Sequence, residues 1–478
     1  MGPHNYTRRN FLKTLGAGGV SIITSQKIAV ARKSRSQPNI VFILVDDLGF
    51  KDVGYRGGTI KTPHIDKLAS EGTRLEQFYV QPVCSPTRSS LMTGRYPMRY
   101  GLQVGVVRPW AQHGLPLEER TIAQALKEAG YATAICGKWH LGHLNSKYLP
   151  TSRGFDHQYG HYNGALDYFT HIRDKGLDWH RNDRPLRVEG YTTDLIADES
   201  VRLIEQHDTS RPLFLYVPFN APHSPFQAPQ SYIDMYEHIE NKRNRIYAAM
   251  VTCMDDAVGR IVSAIDKRGL TRNTLIFFCS DNGGVGSVAD NGLLRGQKAQ
   301  LYEGGIRVPA IAVWPGVLKA GVVVNEQLHI VDMYPTLLRL AGARLRRKAS
   351  LTGEQALPID GKDAWPTIAR GRPSPHEEIL LNVTPYNGAL RRGDWKLVHN
   401  GILGANYTDG KPVEDTFELF NLAEDPYEKT DLSEKNPQKL RELKRRLRSY
   451  AGEAAKANIP PNRMPKDFKI PKAWGHPD

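Results

Sequence analysis

Short hydrophobic runs recur along the chain, and each of them leads directly into polar residues. The clearest runs cover residues 39–45, 132–136, 213–219 and 274–280. Hydrophobic sequence that is continuous rather than alternating is typical of parallel strands covered on both faces. Segments with helical periodicity separate these runs, and the clearest are residues 117–129 and 243–270. The pattern predicts an α/β domain built around a buried, largely parallel sheet.

The sequence changes character after about residue 372, where Pro-rich segments precede shorter strand-like runs. Three runs predict antiparallel strands and one later segment predicts a helix, at residues 378–382, 394–400, 417–421 and 438–451. We therefore predict a large domain at residues 38–374, a smaller α+β domain at 375–458 and an irregular tail at 459–478.

Polar side chains follow each of the four buried runs. They are Asp46 and Asp47, Lys138 and His140, His223, and Asp281 and Asn282. Ligands bind beyond the carboxyl ends of strands in an open α/β sheet, so these residues are expected along one edge. Each group taken separately also fits an ordinary turn or surface sequence. Their joint placement predicts a functional site.

The acidic and amide side chains of this set offer only hard oxygen ligands. They are Asp46, Asp47, Asp281 and Asn282. Such ligands suit Ca²⁺ or Mg²⁺ rather than zinc, and we favour Ca²⁺ because Mg²⁺ demands a tighter octahedron and retains water. Ammonium groups can hold anionic oxygens, and imidazoles exchange protons near neutral pH. The candidates for these functions are Lys138, His140, His223 and Lys298.

Residues 84–95, Cys-Ser-Pro-Thr-Arg-Ser-Ser-Leu-Met-Thr-Gly-Arg, predict a short helix. Ser85 suits the N-cap and Pro86 the first helical position, while Gly94 suits the C-terminal stop. Cys84 would then lie at the positive end of the helix, with Arg88 one turn further on. Such a helix start favours a tetrahedral oxyanion.

Composition narrows the range of ligands. The chain has 478 residues with 40% hydrophobic content and a formal net charge of +14. It contains no zinc-finger spacing, RNA-recognition signature or long basic helix, so a sulfated or phosphorylated small group is favoured over nucleic acid. Three of the four cysteines, Cys136, Cys253 and Cys279, lie in hydrophobic patterns typical of buried structural thiols. Cys84 lies in turn-and-cap sequence instead.

The N-terminal segment has the features of an export signal. Arg8 and Arg9 precede a mildly apolar run at residues 14–24, and Ala29-Val30-Ala31 offers a small-residue cleavage site. A disordered basic tail is the alternative interpretation. We predict a twin-arginine signal at residues 1–31, a periplasmic or secreted protein, and no later segment that crosses a membrane.

Several motifs now match one known family. Residues 84–88 and 91–95 resemble the signature of the formylglycine-dependent type I sulfatases, in the alkaline phosphatase superfamily. Five further segments occur in that family's order, at residues 45–49, 62–66, 137–140, 221–223 and 280–284. The resemblance implies a large mixed, mostly parallel sheet flanked by helices, a smaller C-terminal α+β domain with an antiparallel sheet, and sulfuric ester hydrolysis.

The resemblance also implies a role for each candidate residue. Cys84 would be oxidised to formylglycine by a cytoplasmic formylglycine-generating or other sulfatase-maturing enzyme, and the hydrated aldehyde would provide the attacking oxygen. Residue 84 would join the four oxygen ligands around Ca²⁺. The remaining roles are orientation of the modified residue by Arg88 and Lys138, stabilisation or protonation of the leaving oxygen by His223 and Lys298, and elimination of sulfate by His140.

Within the family, the chain looks most like the arylsulfatase B, or N-acetylgalactosamine-4-sulfatase, branch. The supporting segments are residues 100–103, 149–156, 167–168 and 254–259. The implied substrate is a sulfated carbohydrate with 4-O-sulfated galactose or N-acetylgalactosamine units, in a galactan such as carrageenan or in a glycosaminoglycan. The predicted sugar contacts are His161, Asn163, Asp167 and Tyr168, in a stretch that also fits surface packing.

Three alternatives remain open on the sequence. A phosphate monoester or diester hydrolase can use the same scaffold. A non-catalytic sulfoglycan-binding protein needs the same charges but no nucleophile. A Cys84 thiolate could also attack directly, because helix N-termini lower the pKa of a thiol and a histidine can activate it.

Overall fold

In the computed structural model, the strands of the described residues form a ten-stranded sheet, a four-stranded sheet and a two-stranded hairpin. The structure describes residues 37–345, 357–384, 386–403 and 415–475. The strands are β1 Asn39–Val45, β2 Thr73–Tyr79, β3 Ala132–Lys138, β4 His157–His161, β5 Ile172–Arg173, β6 Gly176–Leu177, β7 His180–Arg181, β8 Arg184–Pro185, β9 Leu213–Pro218, β10 Thr274–Ser280, β11 Ala310–Val313, β12 Val322–His329, β13 Glu378–Leu381, β14 Gly388–Arg392, β15 Trp395–His399 and β16 Phe417–Asn421.

The centre of the large sheet consists of five parallel strands in the spatial order β10-β1-β9-β3-β4. Antiparallel strands β11 and β7 flank this group, so the sheet is mixed but mostly parallel at its core. Every residue of β1 and β10 is buried, as expected of central strands covered on both faces. The predicted fold class is therefore confirmed.

Helices cover both faces of this sheet. They are α1 Pro63–Glu71, α2 Cys84–Thr93, α3 Ile122–Glu128, α4 Thr192–Glu205, α5 Gln230–Asp234, α6 Lys242–Lys267, α7 Glu303–Ile306, α8 Met333–Leu340, α9 Trp365–Arg370 and α10 Pro437–Gly452. Successive β1 side chains enter different clusters: Phe42 packs in the cluster that contains Leu126 of α3, and Val41 in the one that contains Val251 of α6. This alternation explains why the strand is hydrophobic at every position.

Two predicted helix starts were wrong. The helix expected from residue 117 begins at Ile122, because Thr121 caps it and forms a capping box with Gln124. Helix α2 begins at Cys84 with Val83 as the N-cap residue, and Ser85 does not cap it. Gly94 ends α2 in the left-handed conformation, at a φ of 69°, as predicted.

The C-terminal part contains the predicted antiparallel sheet, in the order β13-β14-β15-β16, and helix α10. Strand β14 was not predicted, because its sequence is short and ends in two arginines. The tail has irregular backbone, yet it is attached to the large domain: Ala473 pairs with Leu177, and Trp474 is fully buried. The domain boundary at residue 374 stays a prediction.

Buried ion pairs connect the small sheet to the large domain. The ammonium of Lys396, on β15, lies 2.9 Å from Glu303 Oε1 and 2.7 Å from Glu428 Oε1. The Tyr79 hydroxyl, at the end of β2, donates to Glu303 Oε2 at 2.7 Å. All four side chains are buried, so each charge depends on the others for compensation.

Replacing Lys396 with methionine is expected to lower the free energy of unfolding by about 3–5 kcal/mol, because two buried carboxylates lose their cation. The matched control is Lys439→Met, which removes an ion pair to Glu442 whose side chains are 32% and 43% exposed. That change is expected to cost about 0–1 kcal/mol. Urea unfolding of both variants measures the difference, and equal shifts would show that the Lys396 cluster does not stabilise the fold.

None of the helices in the described ranges is both long and apolar enough to cross a membrane. The predicted export signal at residues 1–31 lies outside the described residues.

Candidate active site

The polar residues predicted to converge do lie at the carboxyl edge of the large sheet. Asp46 and Asp47 follow β1, and Asp281 and Asn282 follow β10. Contacts across the edge include Asn282 Nδ2 to Asp47 Oδ1 at 2.7 Å and an ion pair between Lys138 and Asp46. The parallel order of the central strands produces this convergence, since their carboxyl ends share one edge.

Cys84, the first residue of α2, is only 2% exposed. Its Sγ lies 3.3 Å from His140 Nδ1. Burial raises the pKa of the Cys84 thiol and outweighs the nearby lysine cations. The sequence-based alternative of a low-pKa thiolate nucleophile is therefore disfavoured. Ser85 has a different role from the predicted cap, since its Oγ donates to His140 O at 2.9 Å and fixes the histidine backbone.

Arg88 organises two carboxylates at the base of the site. Its Nε and Nη2 donate to Asp281 Oδ2 at 3.1 and 2.8 Å, and Nη2 also donates to Asp46 Oδ2 at 3.2 Å. Nη1 donates to the Lys138 carbonyl at 3.0 Å. The guanidinium is fully buried and spans the ends of β1, β3 and β10. A planar fork of donors suits this bridging position, which a lysine could not reproduce.

The acidic centre fits a hard divalent cation. The buried oxygens Asp46 Oδ1 and Asn282 Oδ1 have no hydrogen-bond partner among the described residues. Ligand atoms of Asp46, Cys84 and Asp281 lie within 4.8 Å of one another. Burial and the neighbouring Asp46 carboxylate raise the pKa of Asp281, as expected of acidic groups that lie close together in a buried site. Oxygen-rich ligands with unmet acceptor capacity match Ca²⁺ or Mg²⁺.

Lys298 closes the opposite side of the centre. Its Nζ lies 2.6 and 2.7 Å from the two carboxylate oxygens of Asp47. Despite burial, that carboxylate raises the pKa of Lys298 above its usual value, so the ammonium stays charged. Asp47 and His140 both have positive φ, at 68° and 59°. Non-glycine residues adopt this conformation at a cost, and such strain is concentrated at functional sites.

The two site histidines are held in defined tautomers by backbone carbonyls. His140 Nε2 lies 3.0 Å from Val107 O, so Nε2 carries the proton and Nδ1 faces Cys84 as an acceptor. His223 Nδ1 lies 2.6 Å from Ser224 O, which leaves Nε2 facing the site, 3.7 Å from Asp47 Oδ2. Burial and nearby Lys138 hold the pKa of His140 well below its usual range. Burial and Lys298 lower the pKa of His223 to about 4.

The four side chains predicted to contact the sugar differ in how deeply they are buried. His161 and Asn163 are fully buried, and His161 lies near Lys138. The Tyr168 hydroxyl lies 2.7 Å from the carbonyl oxygens of both Asn220 and His223 and can donate to either. Tyr168 thus supports the His223 loop from beneath. Their role as direct sugar contacts stays a prediction.

Asp167 lines a cavity of about 460 Å³ that His223 also lines. Arg173 and Asp174, which sequence reasoning missed, lie in the same wall. Arg173 ends β5 and Asp174 begins the turn to β6, and these strands of two residues each are too short to produce a periodic pattern. The sequence signal for the turn was weak, because Asp174 and Lys175 both adopt positive φ, at 46° and 71°, whereas the second position of such a turn usually holds glycine.

His143, three residues after His140, makes stability pH-dependent. Burial lowers its pKa from 6.5 to about 4, and its Nε2 faces Pro109 O at 3.0 Å. Between these pH values the unfolded chain binds a proton that the folded chain does not, so stability falls as pH decreases from 6.5 to 4. The loss attributed to His143 is about 3 kcal/mol.

The corresponding measurement is the urea midpoint at pH 7, 5.5 and 4. His143→Gln is expected to flatten the pH dependence, whereas replacement of the exposed His238 by glutamine leaves it unchanged. A slope that both variants share with the wild type would contradict this assignment.

Comparisons with known proteins agree with this geometry. The family model described as Sulfatase matches residues 38–343. Arylsulfatase J of Mus musculus is 37% identical, over 89% of this chain and 78% of that protein. N-acetylgalactosamine-6-sulfatase of Mus musculus is 34% identical, over 70% of this chain and 67% of that protein.

Solved structures show the same relationship. The crystal structure of Ps i-CgsB in complex with k-i-k-neocarrahexaose has a TM-score of 0.78 at 32% identity, covering 88% of this chain and 94% of that one. PsFucS1 sulfatase from Pseudoalteromonas sp. has a TM-score of 0.70 at 28% identity, covering 87% and 90%. The fold and site are those of alkaline-phosphatase-like ester hydrolases. The chain belongs to the sulfatase family and is a sulfuric ester hydrolase.

Proposed function

We propose that this sulfatase removes O-sulfate from galactose or N-acetylgalactosamine units of a sulfated galactan or glycosaminoglycan, with 4-O-sulfate as the preferred ester. The similar structure that holds a neocarrahexaose supports a galactan, and the N-acetylgalactosamine-6-sulfatase relative supports a galactosamine substrate. The preference for position 4 rests on the sequence motifs. The observation that carries the chemistry is the pair of unpartnered oxygens of Asp46 and Asn282 beside Cys84.

Cys84 serves as the precursor of formylglycine in this proposal. Its high pKa and burial make the thiol a poor nucleophile as it stands. The hydrated aldehyde would supply a hydroxyl as nucleophile and a second hydroxyl on the same carbon for later sulfate release. His140 Nδ1, 3.3 Å from the residue 84 side chain, is placed to accept a proton from such a hydroxyl.

Four oxygen-bearing side chains would hold the cation, with Ca²⁺ preferred over Mg²⁺: Asp46, Asp47, Asp281 and Asn282. When bound, the divalent cation neutralises charge that develops on the sulfate oxygens. Arg88 keeps the Asp46 and Asp281 carboxylates oriented toward residue 84. A buried guanidinium that contacts both carboxylates fixes the ligand geometry before substrate arrives.

Lys298 is the charged donor for the leaving oxygen at neutral pH. The raised pKa keeps its ammonium protonated, whereas a His223 pKa of about 4 leaves that imidazole neutral. Neutral His223 accepts at Nε2 and can align a hydroxyl of the leaving sugar. Lys138, paired with Asp46, adds a second cation near the sulfate position.

The sequence also supports export by the twin-arginine signal at residues 1–31. Export in a folded state is compatible with oxidation of Cys84 by a cytoplasmic maturing enzyme before transport. The proposed location is the periplasm or the exterior of the cell.

Paired esters test the function. The full chain, co-produced with a formylglycine-generating enzyme and supplied with Ca²⁺, is assayed on 4-nitrophenyl sulfate and 4-nitrophenyl phosphate. Galactose and N-acetylgalactosamine carrying sulfate at position 4 or 6 then define the substrate. We expect sulfate release, fastest from a 4-sulfate. Faster turnover of the phosphate ester would favour the phosphohydrolase alternative, and preference for a 6-sulfate would refute the proposed position.

A further inference from the structure

The cavity beside His223 extends the site toward the leaving group. Its volume of about 460 Å³ lies in the range typical of small-ligand sites. Asp167, Arg173 and Asp174 supply its charged side chains, and Leu166 contributes an apolar surface. The volume and the position next to His223 suit the sugar ring from which sulfate departs.

The hairpin that carries Arg173 and Asp174 is anchored through its backbone. Arg173 Nε donates to Asp174 Oδ2 at 2.9 Å, and Arg173 is the last residue of β5 while Asp174 is the first residue of the turn to β6. The tail fastens this hairpin, because Trp474 Nε1 donates to Arg173 O at 2.8 Å and Trp474 N donates to Leu177 O at 2.9 Å. These contacts involve the backbone carbonyls of Arg173 and Leu177, so the Arg173 guanidinium can be replaced without loss of the anchor.

Asp167 is held equally firmly. Its Oδ1 accepts from the backbone of Phe169 and Thr170 at 3.0 and 2.8 Å, and its Oδ2 accepts from Gln227 Nε2 at 2.6 Å. Burial opposes ionisation, but these hydrogen bonds lower the pKa of Asp167. The wall therefore presents two carboxylates and one guanidinium, a local charge of −1 in a chain whose formal charge is +14.

The net negative charge of this wall favours the binding of sugar hydroxyls and disfavours the binding of anions. Carboxylates accept hydrogen bonds from sugar hydroxyls, and a guanidinium donates to them. A second sulfate placed in the same cavity would instead meet two like charges, only one of which is paired with a cation. Like-charge juxtaposition is an established means of rejecting the wrong ligand.

We propose that this cavity binds the sugar ring that carries the scissile ester, and that Asp167, Arg173 and Asp174 select a ring with free hydroxyls over one with a second sulfate. The inference rests on the proposed function, since it assigns a substrate class to the same site. Arg173 and Asp174 act here as specificity-determining residues.

The test compares methyl galactoside 4-sulfate, 6-sulfate and 4,6-disulfate with the matured, Ca²⁺-loaded full chain. The measured quantity is the ratio of kcat/KM for the better monosulfate to that for the disulfate, and we expect a ratio of about ten or more. Asp174→Asn makes the wall neutral and should lower this ratio severalfold. Arg173→Gln makes it more acidic and should raise the ratio severalfold.

Shifts of this kcat/KM ratio in opposite directions indicate selection by charge. A loosened hairpin would instead change the ratio in the same direction in both variants. The matched controls are Glu442→Gln and Arg392→Gln, which alter an exposed ion pair of 3.1 Å in the C-terminal part and should leave the ratio unchanged. A wild-type ratio near one, or shifts of the same sign, would overturn the inference.

Hydrolysis of 4-nitrophenyl sulfate shows whether a negative result concerns the cavity inference alone or the proposed function as a whole. If the aryl sulfate is hydrolysed but none of the galactosides is, the cavity does not bind the proposed ring and the inference is wrong. If no sulfate ester is hydrolysed by the matured protein, the proposed function itself fails.

Discussion

Cys84→Ala is expected to reduce sulfate release by about 10⁴-fold or more, because the variant has no side chain from which the nucleophile can be made. The fold should survive, since a buried thiol is replaced by a slightly smaller apolar group at a cost of about 1–2 kcal/mol. Turnover of 4-nitrophenyl sulfate and the urea midpoint measure the two effects separately.

Cys253→Ala is the matched control for this experiment. Cys253 is also buried and free of disulfides, but it lies on α6 among apolar residues. Its replacement should leave turnover unchanged. Mass analysis of the peptide with residue 84 should show sulfur replaced by oxygen in the active wild type. Full activity with an intact thiol, or turnover by Cys84→Ala, would refute the formylglycine mechanism.

Removal of the divalent cation is expected to have the second largest effect, a loss of about 10²–10³-fold in kcat. A chelator leaves Asp46 Oδ1 and Asn282 Oδ1 without a partner in the described site, and the repelling carboxylates should also lower the thermal midpoint. Ca²⁺ at 100 times its Kd should restore about 2.7 kcal/mol of stability together with activity. Thermal unfolding measures the gain in stability during a Ca²⁺ titration, and turnover of 4-nitrophenyl sulfate at the same Ca²⁺ concentrations measures the recovery of activity.

Two substitutions locate the cation. Asp46→Asn should abolish the Ca²⁺-dependent rise in thermal midpoint. Asp256→Asn should not, although Asp256 forms a second group of possible ligands with His64 and Asp255. If stabilisation by Ca²⁺ persists in Asp46→Asn and disappears in Asp256→Asn, the cation binds at the group formed by His64, Asp255 and Asp256, and the assignment to Asp46 is refuted.

The central strands were predictable because their environment is uniform. Strands β1 and β10 match the predicted runs residue for residue, since both faces of each strand are buried and polar residues mark their ends. Strands β5 to β8 have two residues each and carry no periodic signal. They are held by distant contacts, such as the pairing of Leu177 with Ala473.

The site was predictable where chain direction places residues at strand ends, as for Asp46, Lys138 and Asp281. The site was harder to predict where the hydrogen-bond partner of a side chain is distant in the sequence. The Ser85 hydroxyl prefers the carbonyl of His140, 55 residues away, to the local helix start. Tyr168 looks like a surface aromatic in the sequence, yet its hydroxyl reaches the carbonyls of Asn220 and His223. Local propensity contains no information about such partners.

The anchoring of the β5–β6 hairpin by Trp474 has a consequence for biosynthesis. Nearly three hundred positions separate Leu177 from Ala473, so the cavity wall gains this anchor only after the ribosome has released the far end of the polypeptide. The strands that carry Asp46, Lys138 and Asp281 are complete well before that point. A prematurely terminated product would therefore lack this anchor of the wall that we propose to discriminate among sugars.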